Sequence, residues 1–251
     1  MVSISSLIYR SAQYADAVYG SLHEFTPMLR SGDAEFTFVA NDATPKLLRH
    51  LEERGYHHVV QENPRRSEAE LFASGYGKPE YIHRVYRGWN RAIREARGNI
   101  VVLVNSDNLF SPNWLESLLE HVSGRAIVCS QLVERKHPGC RLFPGAYRGD
   151  FGTSPADFDK EAFLTSCQRM RRPGTRSGGA YMPCAFLKST AEAVGGYPEG
   201  NLAGRSFDEI AEYGDRTFFK RLAHIGVLHV TALDSLVFHF KEGEMKEEAE
   251  P

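Results

Sequence analysis

The chain has 251 residues, of which 42% are hydrophobic and 25% charged, and its formal net charge is −2 at pH 7. This length suits one large domain, and the composition is that of a globular protein rather than a disordered or fibrous chain. A charge so close to zero excludes a general affinity for nucleic acid, although local basic clusters could still bind phosphate.

The first half of the chain predicts strands that alternate with helices. Strand patterns occupy residues 3–9, 34–40, 56–61, 99–104 and 126–133. Apolar residues spaced by three and four predict helices from Ala15, after a Thr44 cap, from Ile82 and from Ser111. Residues 62–79 predict a long loop. The alternation predicts a doubly wound, mostly parallel α/β sheet, in which ligands lie beyond the carboxyl ends of the strands.

The second half is less regular. Residues 135–180 are rich in Gly, Pro and Arg, with one helix expected near residues 157–170. Further helices are expected at residues 188–194 and 207–226, and two strand-like runs lie within residues 227–240. The predicted organisation is a single domain with halves at residues 1–134 and 135–240, followed by an acidic tail at residues 241–251.

Cysteine usage and the absence of export signals bear on location. The chain has four cysteines, Cys129, Cys140, Cys167 and Cys184, without a CxxC pair or a dense disulfide framework. No secretory signal opens the sequence, and no apolar run reaches the length of a bilayer span. These patterns favour a cytoplasmic protein, with peripheral attachment to a membrane left open.

Two carboxylates stand where predicted strands end. Asp42 follows the strand at residues 34–40, and Asp107 follows the strand at residues 99–104 through Asn105 and Ser106. Mg²⁺ and Mn²⁺ prefer oxygen ligands and share them with substrate phosphates. His239, near the end of the final strand-like run, is a candidate further ligand, and imidazole suits Mn²⁺ better than Mg²⁺.

Structural roles remain open for each of these residues. Asp42 could form an Asx-turn before the Thr44 cap. Asp107 could cap the turn that follows its strand, and His239 could be a core histidine between two aromatic residues.

Five segments, in order along the chain, resemble the family 2 glycosyltransferases, which have the GT-A fold. They are "ISSLIY", "FVANDATP", "GWNRAIREARGNIVVLVNSDN", "GDRTFFKRLAHIG" and "LVFHF". The third resembles the Asn-x-Gly and Asp-x-Asp signature of the family, the fourth its Glu-Asp-x-Asp helix and the fifth its Val-Tyr-His strand. The resemblance implies a GT-A fold, with a Rossmann-like half at residues 1–134 that binds a nucleotide sugar and an irregular acceptor-binding and catalytic half at residues 135–240.

The resemblance also implies roles for single residues. Asp42 would bind the nucleotide base, and Asn105, in place of the first signature aspartate, would face the ribose or the waters on the metal. Asp107 would bind the metal that holds the donor diphosphate, and His239 would complete the metal site. Asp215 would be the catalytic base. The implied enzyme is an inverting hexosyltransferase that uses a nucleoside-diphosphate sugar and a divalent cation, Mn²⁺ or Mg²⁺.

The fourth segment departs from the family pattern at two positions. Gly214 stands where the family has glutamate, and Thr217 where it has its second aspartate. The role of Asp215 is therefore less firmly implied than that of Asp107, and it could instead be a first-turn acid favoured by the helix dipole. Asp208, Glu209 and Glu212, one to two turns upstream, are alternative bases.

Further contacts are expected in the irregular region. The arginines Arg169, Arg171, Arg172 and Arg176 form a basic cluster. Arg172 and Arg176 suit a clamp on diphosphate or on an anionic acceptor, while a solvated surface run explains the cluster equally simply. Tyr181 lies in a segment where the family keeps an acceptor-side loop, which implies contact with the acceptor.

Two other functional classes are consistent with the sequence. One is a binding protein on a decayed transferase scaffold, which Gly214 and Thr217 favour. The other is a nucleotidyltransferase, although its glycine-rich amino-terminal loop is missing after "SLIY". The sequence does not identify the acceptor, so a glycan, a lipid-linked sugar, a small molecule, a protein and a modified nucleic acid all remain open.

Overall fold

The computed structural model describes residues 1–63, 80–135, 142–199 and 214–241. Residues 64–79 of the predicted loop, the alternative bases Asp208, Glu209 and Glu212, Cys140 and nearly all of the acidic tail lie outside these residues. Within the described residues, none of the helices is long and apolar enough to cross a bilayer.

The first half of the chain alternates strands and helices, as predicted. Its elements are β1 (Val2–Ile8), α1 (Ala12–Phe25), α2 (Pro27–Ser31), β2 (Ala34–Asn41), α3 (Pro45–Glu53), β3 (His58–Gln61), α4 (Glu80–Glu95), β4 (Ile100–Val104), β5 (Asn108–Phe110), α5 (Trp114–Leu119) and β6 (Ala126–Glu134).

The second half adds shorter elements and one long strand. They are β7 (Tyr147–Arg148), a 3₁₀ turn (Pro155–Asp157), α6 (Lys160–Met170), β8 (Thr175–Ser177), β9 (Cys184–Leu187), α7 (Lys188–Ala193), α8 (Gly214–His224) and β10 (Leu228–His239).

The strands of the described residues form one sheet. Its order is β3-β2-β1-β4-β9-β6-β10-β5, with β7 paired to β6 and β8 paired to β10. The pairs β1–β2, β1–β4, β2–β3, β6–β10 and β6–β7 are parallel, whereas β5, β8 and β9 run antiparallel to their neighbours. The predicted mostly parallel α/β sheet is confirmed, and the short antiparallel strands are additions that the sequence pattern did not predict.

Strand β4 shows why its sequence is apolar without alternation. Val102 and Val104 pack into one hydrophobic core, and Val101 and Leu103 pack into a second core on the opposite face of the sheet. All four side chains are fully buried. Because helices cover both faces, each position of the strand must be apolar, as in other buried parallel strands.

Helix boundaries follow local hydrogen bonds. The hydroxyl of Thr44 accepts a hydrogen bond from the Leu47 N–H at 3.3 Å, which confirms the predicted cap of α3. The helix expected from Ser111 begins only at Trp114. The hydroxyl of Ser111 donates instead to the Leu236 carbonyl of β10 at 2.8 Å, and Asn113 has a left-handed backbone.

The last strand is continuous where the sequence predicted two runs. In its pairing with β6 the register of β10 shifts between Ala232 and Leu236, so both predicted runs belong to one strand with an irregularity between them. This strand lies inside the sheet, between β6 and β5. The carboxyl end of β10 therefore lies at the sheet edge where β4 and β6 also end.

Candidate active site

Asp107 is held in a tight connection between β4 and β5. The Asn105 N–H donates to Oδ1 of Asn108 at 2.9 Å, and the Asn108 N–H donates to the Asn105 carbonyl at 3.2 Å. The chain therefore turns back at once after the buried strand. This turn leaves Asp107 at the carboxyl edge of the sheet, where the strand pattern predicted it.

His239 is brought to Asp107 by the pairing of β5 with β10. Asn108 lies opposite His239 in this pair, and the Phe240 N–H donates to the Asp107 carbonyl at 3.1 Å. Oδ2 of Asp107 lies 3.3 Å from Nε2 of His239, and each side chain is only 8% exposed. The structure thus places together two residues that are far apart in sequence.

Glu134, the last residue of β6, is the third member of this cluster, and it is not among the site residues predicted from the sequence. Its Oε1 accepts from Nδ1 of His239 at 2.7 Å, and its Oε2 accepts from the Phe143 N–H at 2.9 Å and lies 3.3 Å from Nζ of Lys241. Burial alone would raise the pKa of this carboxyl, but these hydrogen bonds and charges lower it. Glu134 is therefore a fully buried carboxylate.

The two carboxylates determine the protonation of His239. Burial alone would lower the pKa of the imidazole, but Asp107 and Glu134 raise that pKa to about 10. At neutral pH and without a ligand, the ring is therefore an imidazolium that is held between two acids. A divalent cation in place of the Nε2 proton would keep a positive charge beside Asp107 and would add one unit of positive charge to the cluster.

The cluster fits a divalent cation that takes some of its ligands from a substrate. Within the described residues, no group of three or more His, Cys, Asp and Glu side chains could hold a metal ion by itself. Asp107 and His239 offer one oxygen and one nitrogen, while Glu134 binds the opposite ring nitrogen. A carboxylate on that second nitrogen is the usual support of a metal-ligating histidine, because it fixes the tautomer and the ring orientation.

A pocket opens beside the cluster. Asn105 and His239 line it, Asp215 contributes a carboxylate, and the aromatic residues Tyr86, Trp89 and Tyr181 form part of its wall. Convergent polar groups in an otherwise apolar pocket are the usual form of a small-molecule site.

Asp215 occupies the first turn of α8. Burial raises the pKa of its carboxyl, while the Arg216 N–H, which donates to Oδ1 at 2.7 Å, and the Tyr86 hydroxyl lower it, and the net shift is upward. A carboxylate with a raised pKa in a pocket is a suitable acceptor for a substrate proton.

Asp42 lies at the same sheet edge, in other surroundings. Its Oδ1 accepts from the Asn63 N–H at 2.8 Å, and its Oδ2 accepts from Nδ2 of Asn63 and from Nη1 of Arg84, both at 3.0 Å. The backbone of Asp42 is left-handed, with φ of 51°. The Asx-turn alternative is wrong, because the Thr44 N–H donates to the Tyr9 carbonyl instead.

The three predicted contacts of the irregular region differ from one another. The exposed Arg172 donates through Nη1 to the carbonyls of Arg169 and Arg171 at 2.8 and 2.9 Å, which fits the surface alternative. Arg176 is half-buried, and its guanidinium lies where a side chain on Gly145 would otherwise be.

Tyr181 lies in the pocket wall itself. Its ring packs on Phe219 and His229, with centroid separations of 4.6 and 5.5 Å. Of the three contacts, Tyr181 is therefore the one that the structure brings into the pocket.

The sequence was compared with families and with curated proteins. Residues 66–174 match the family described as Glycosyl transferase family 2. This span includes Asn105 and Asp107, while Asp42, Asp215 and His239 lie outside it. No curated protein sequence matches the chain.

Solved structures share the fold at low sequence identity. GalNAc-T7 with UDP, GalNAc and Mn²⁺ is 13% identical with a TM-score of 0.58, over 95% of this chain and 43% of that chain. The mannosyltransferase PcManGT from Pyrobaculum calidifontis, in complex with GDP-Man and Mn²⁺, is 16% identical with a TM-score of 0.53, over 95% and 56% of the two chains. S. aureus TarS 1-349 is 14% identical with a TM-score of 0.57, over 96% and 60%.

These structures establish the fold class. The chain spans about half the length of the solved structures that it matches. The predicted GT-A type of α/β fold is confirmed.

Proposed function

From the premise that this chain resembles the family 2 glycosyltransferases and has the GT-A fold, we propose that it transfers a sugar from a nucleoside-diphosphate sugar to an acceptor hydroxyl. The reaction inverts the anomeric configuration and depends on a divalent cation. The observation that carries the proposal is the Asp107–His239 pair, whose histidine lines a pocket that also contains Asp215.

Asp107 and His239 would hold the cation, with oxygens of the donor diphosphate as further ligands. When bound, the cation acts as a Lewis acid that offsets the negative charge on the departing diphosphate. Glu134 keeps Nε2 of His239 directed at Asp107 through its own contact with Nδ1. The imidazole ligand favours Mn²⁺ over Mg²⁺, and the solved GalNAc-T7 and PcManGT structures contain Mn²⁺.

Asp215 is the general base of the proposed reaction. The acceptor oxygen forms a bond to the anomeric carbon as the bond from that carbon to the diphosphate oxygen breaks. The hydroxyl proton passes to a carboxylate oxygen of Asp215. The upward shift of the Asp215 pKa supports this role, since a stronger base accepts the proton more readily once it is ionised. Positioning in the pocket supplies much of the remaining rate.

The two halves of the chain divide the substrates. Residues 1–134 bind the donor, with Asp42 at the nucleotide base and Asn105 at the ribose or at the waters of the cation. Residues 135–240 shape the acceptor site, in which Tyr181 offers an aromatic face and Arg176 a cation for a phosphate or an anionic acceptor. Arg172, whose guanidinium is bound to neighbouring carbonyls, is a weaker candidate for that contact.

The transferred group in this proposal is a hexose, and the protein acts in the cytoplasm or at the periphery of a membrane. The acceptor class stays open among glycans, lipid-linked sugars, small molecules, proteins and modified nucleic acids. A decayed scaffold that binds nucleotide sugars without transfer is the second candidate function, because Gly214 and Thr217 replace two acidic residues of the family.

A thermal-shift series tests the proposal. Nucleoside diphosphates and their sugars are added with and without Mn²⁺, and ligands that bind only the folded state must raise the melting temperature. We expect a Mn²⁺-dependent rise with one nucleotide class, and no such rise in Asp107→Ala. The absence of any shift in well-folded protein would overturn the donor assignment.

A second experiment separates transfer from binding. Hydrolysis of the bound donor is followed by NMR, which also reports the anomeric configuration of the released sugar. Asp215→Asn should retain donor binding and lose turnover, whereas the exposed Asp150→Asn should behave as the wild type. Turnover retained in Asp215→Asn would move the base to Asp208, Glu209 or Glu212. Binding without turnover in the wild type would support the decayed scaffold.

A further inference from the structure

The packing of Tyr86 explains why position 214 is a glycine. Gly214 is buried and opens α8, and a Cβ atom at this position would overlap Cδ2, Cε2 and Cζ of the Tyr86 ring. Tyr86 therefore occupies the volume in which any side chain at position 214 would begin. Gly214, which departs from the family pattern, is therefore complementary in shape to the Tyr86 ring of α4.

The Tyr86 ring is fixed before any substrate arrives. It is 6% exposed and packs parallel to the Tyr197 ring, with 5.7 Å between centroids and 10° between planes. Tyr197 is in turn bound through its backbone to Asn90, whose Oδ1 accepts from the Tyr197 N–H and whose Nδ2 donates to the Tyr197 carbonyl, both at 2.8 Å. This packing limits the Tyr86 phenol to a narrow range of positions.

The phenol reaches the carboxylate that we assign as the base. The Tyr86 hydroxyl donates a hydrogen bond to Asp215, and both side chains line the same pocket. The Arg216 N–H donates to Oδ1 of Asp215 at 2.7 Å. With two donors in place, the carboxylate has a defined orientation and still has acceptor capacity for a substrate hydroxyl.

We propose that Tyr86 is a positioning residue for Asp215 and that it takes the place of the family's glutamate at position 214. Its hydroxyl orients the carboxylate toward the pocket, and Gly214 is the residue that admits the ring. This inference rests on the proposed function for the role of Asp215, but the Tyr86–Asp215 contact can be tested without any transfer activity.

Several other groups face Asp215 from the elements around it. They are Tyr181 before β9, Cys184 in β9, Tyr197 after α7 and Arg216 in α8. Loss of the Tyr86 hydroxyl would leave all of them in place. Because the hydroxyl stabilises the ionised carboxylate, its removal should raise the Asp215 pKa further. The acid limb of the activity profile should then move to higher pH, since the base acts in its ionised form.

The test is Tyr86→Phe, which keeps the ring and removes only the hydroxyl. We expect the Asp215 pKa, measured by carbon NMR of labelled aspartate, to rise by about one unit, as is typical for the loss of one hydrogen bond. Turnover at pH values below the Asp215 pKa should fall about tenfold, with donor affinity unchanged. Tyr56→Phe is the matched control, because it also removes a tyrosine hydroxyl that donates to an aspartate, Asp16 at 2.9 Å, but on the opposite face of the sheet and away from the pocket.

A rescue experiment tests whether the Tyr86 ring, and not only its hydroxyl, contributes to turnover. Tyr86→Ala should lose turnover, and the double variant Tyr86→Ala/Gly214→Glu should recover part of it, because the new carboxylate enters the vacated space. An unshifted Asp215 pKa in folded Tyr86→Phe would overturn the positioning role. A shifted pKa in a protein without transfer activity would confirm the contact and overturn the proposed function instead.

Discussion

Asp42 and Asp107 follow parallel strands of the same sheet at the same edge, yet their surroundings differ. The Asp42 side chain is 23% exposed, and both of its oxygens accept hydrogen bonds from Asn63 and Arg84. The Asp107 side chain is 8% exposed and faces a histidine across 3.3 Å. One carboxylate is already bound by the protein, whereas the other faces a ring whose proton a cation can replace.

The difference shows that position at a strand end is not enough to define a metal site. What distinguishes Asp107 is the partner that β10 delivers and the buried acid, Glu134, behind that partner. This contrast can be tested by substitution of each of these residues.

Replacement of Asp107 by alanine should remove cation-dependent donor binding. The remaining ligand, His239, would stay bound to Glu134, and one imidazole cannot hold a cation together with a diphosphate. We expect a loss of donor affinity of more than about 100-fold, since a direct ligand should matter more than its supporting residue. Titration calorimetry with the nucleotide in Mn²⁺ measures the loss. Unchanged affinity in a folded variant would contradict the assignment of Asp107.

Replacement of Glu134 by glutamine should weaken cation binding, although Glu134 is not itself one of the proposed cation ligands. The amide keeps the size of the side chain but loses the charge that holds His239 by its Nδ1. A loss of about 10- to 100-fold in Mn²⁺ affinity is expected for a residue of this kind. Electron paramagnetic resonance of Mn²⁺ reports the free ion directly, and the exposed Glu192→Gln is the control. Equal affinity in both variants would show that Glu134 serves stability alone.

The stability of the ligand-free protein should depend on the charge of His239. The folded pKa is raised from 6.5 to about 10, so the imidazolium contributes stability that is fully present below pH 6.5 and is lost as the pH rises toward 10. The difference in unfolding free energy between the wild type and His239→Gln should therefore shrink over this range. Urea unfolding at several pH values measures it, and a constant difference would exclude the ionic role.

Asp42 should show the smallest effect of the group. Asp42→Asn should reduce the affinity for the nucleotide about tenfold, an estimate based on one charge-assisted hydrogen bond. Its Mn²⁺ affinity should stay that of the wild type. Arg84→Gln breaks the Asp42–Arg84 ion pair but keeps the Asp42 carboxylate. A partly exposed ion pair contributes no more than about 1 kcal/mol to folding. The variant therefore shows whether a loss of nucleotide affinity comes from the carboxylate or from lower stability. A change of Mn²⁺ affinity in Asp42→Asn would erase the contrast between the two carboxylates.

The regular part of the fold could be predicted from the sequence because its signals are local. Strand β4 is an uninterrupted apolar run, and α3 has a Thr44 cap followed by a proline. Strands β5 and β9 could not be predicted, since three or four residues carry no measurable period and gain their pairing only from neighbours distant in the chain. The shift within β10 was likewise hidden, because its two runs look separate along the sequence.

The site was predictable where a residue follows a strong strand. Asp107 and Asp42 both satisfy that condition, and His239 was a candidate because it lies near the end of the final strand-like run. Asp215 came from the family resemblance. Glu134 directly follows the predicted strand at residues 126–133, so the same rule applied to that strand could have found it. Tyr86 carried no such signal, because its relation to Gly214 exists only after α4 and α8 have packed together.

The placement of β10 also has a consequence for the order in which the protein is made. The sheet has β10 between β6 and β5, although residues 228–239 are synthesised long after residues 108–134. Until they emerge from the ribosome, β6 lacks the longer of its two parallel neighbours and β5 lacks its only pairing partner in the described sheet. Pairings between such distant segments form slowly. Since the same late strand carries His239, a nascent chain brings the two proposed cation ligands together only when the sheet itself is completed.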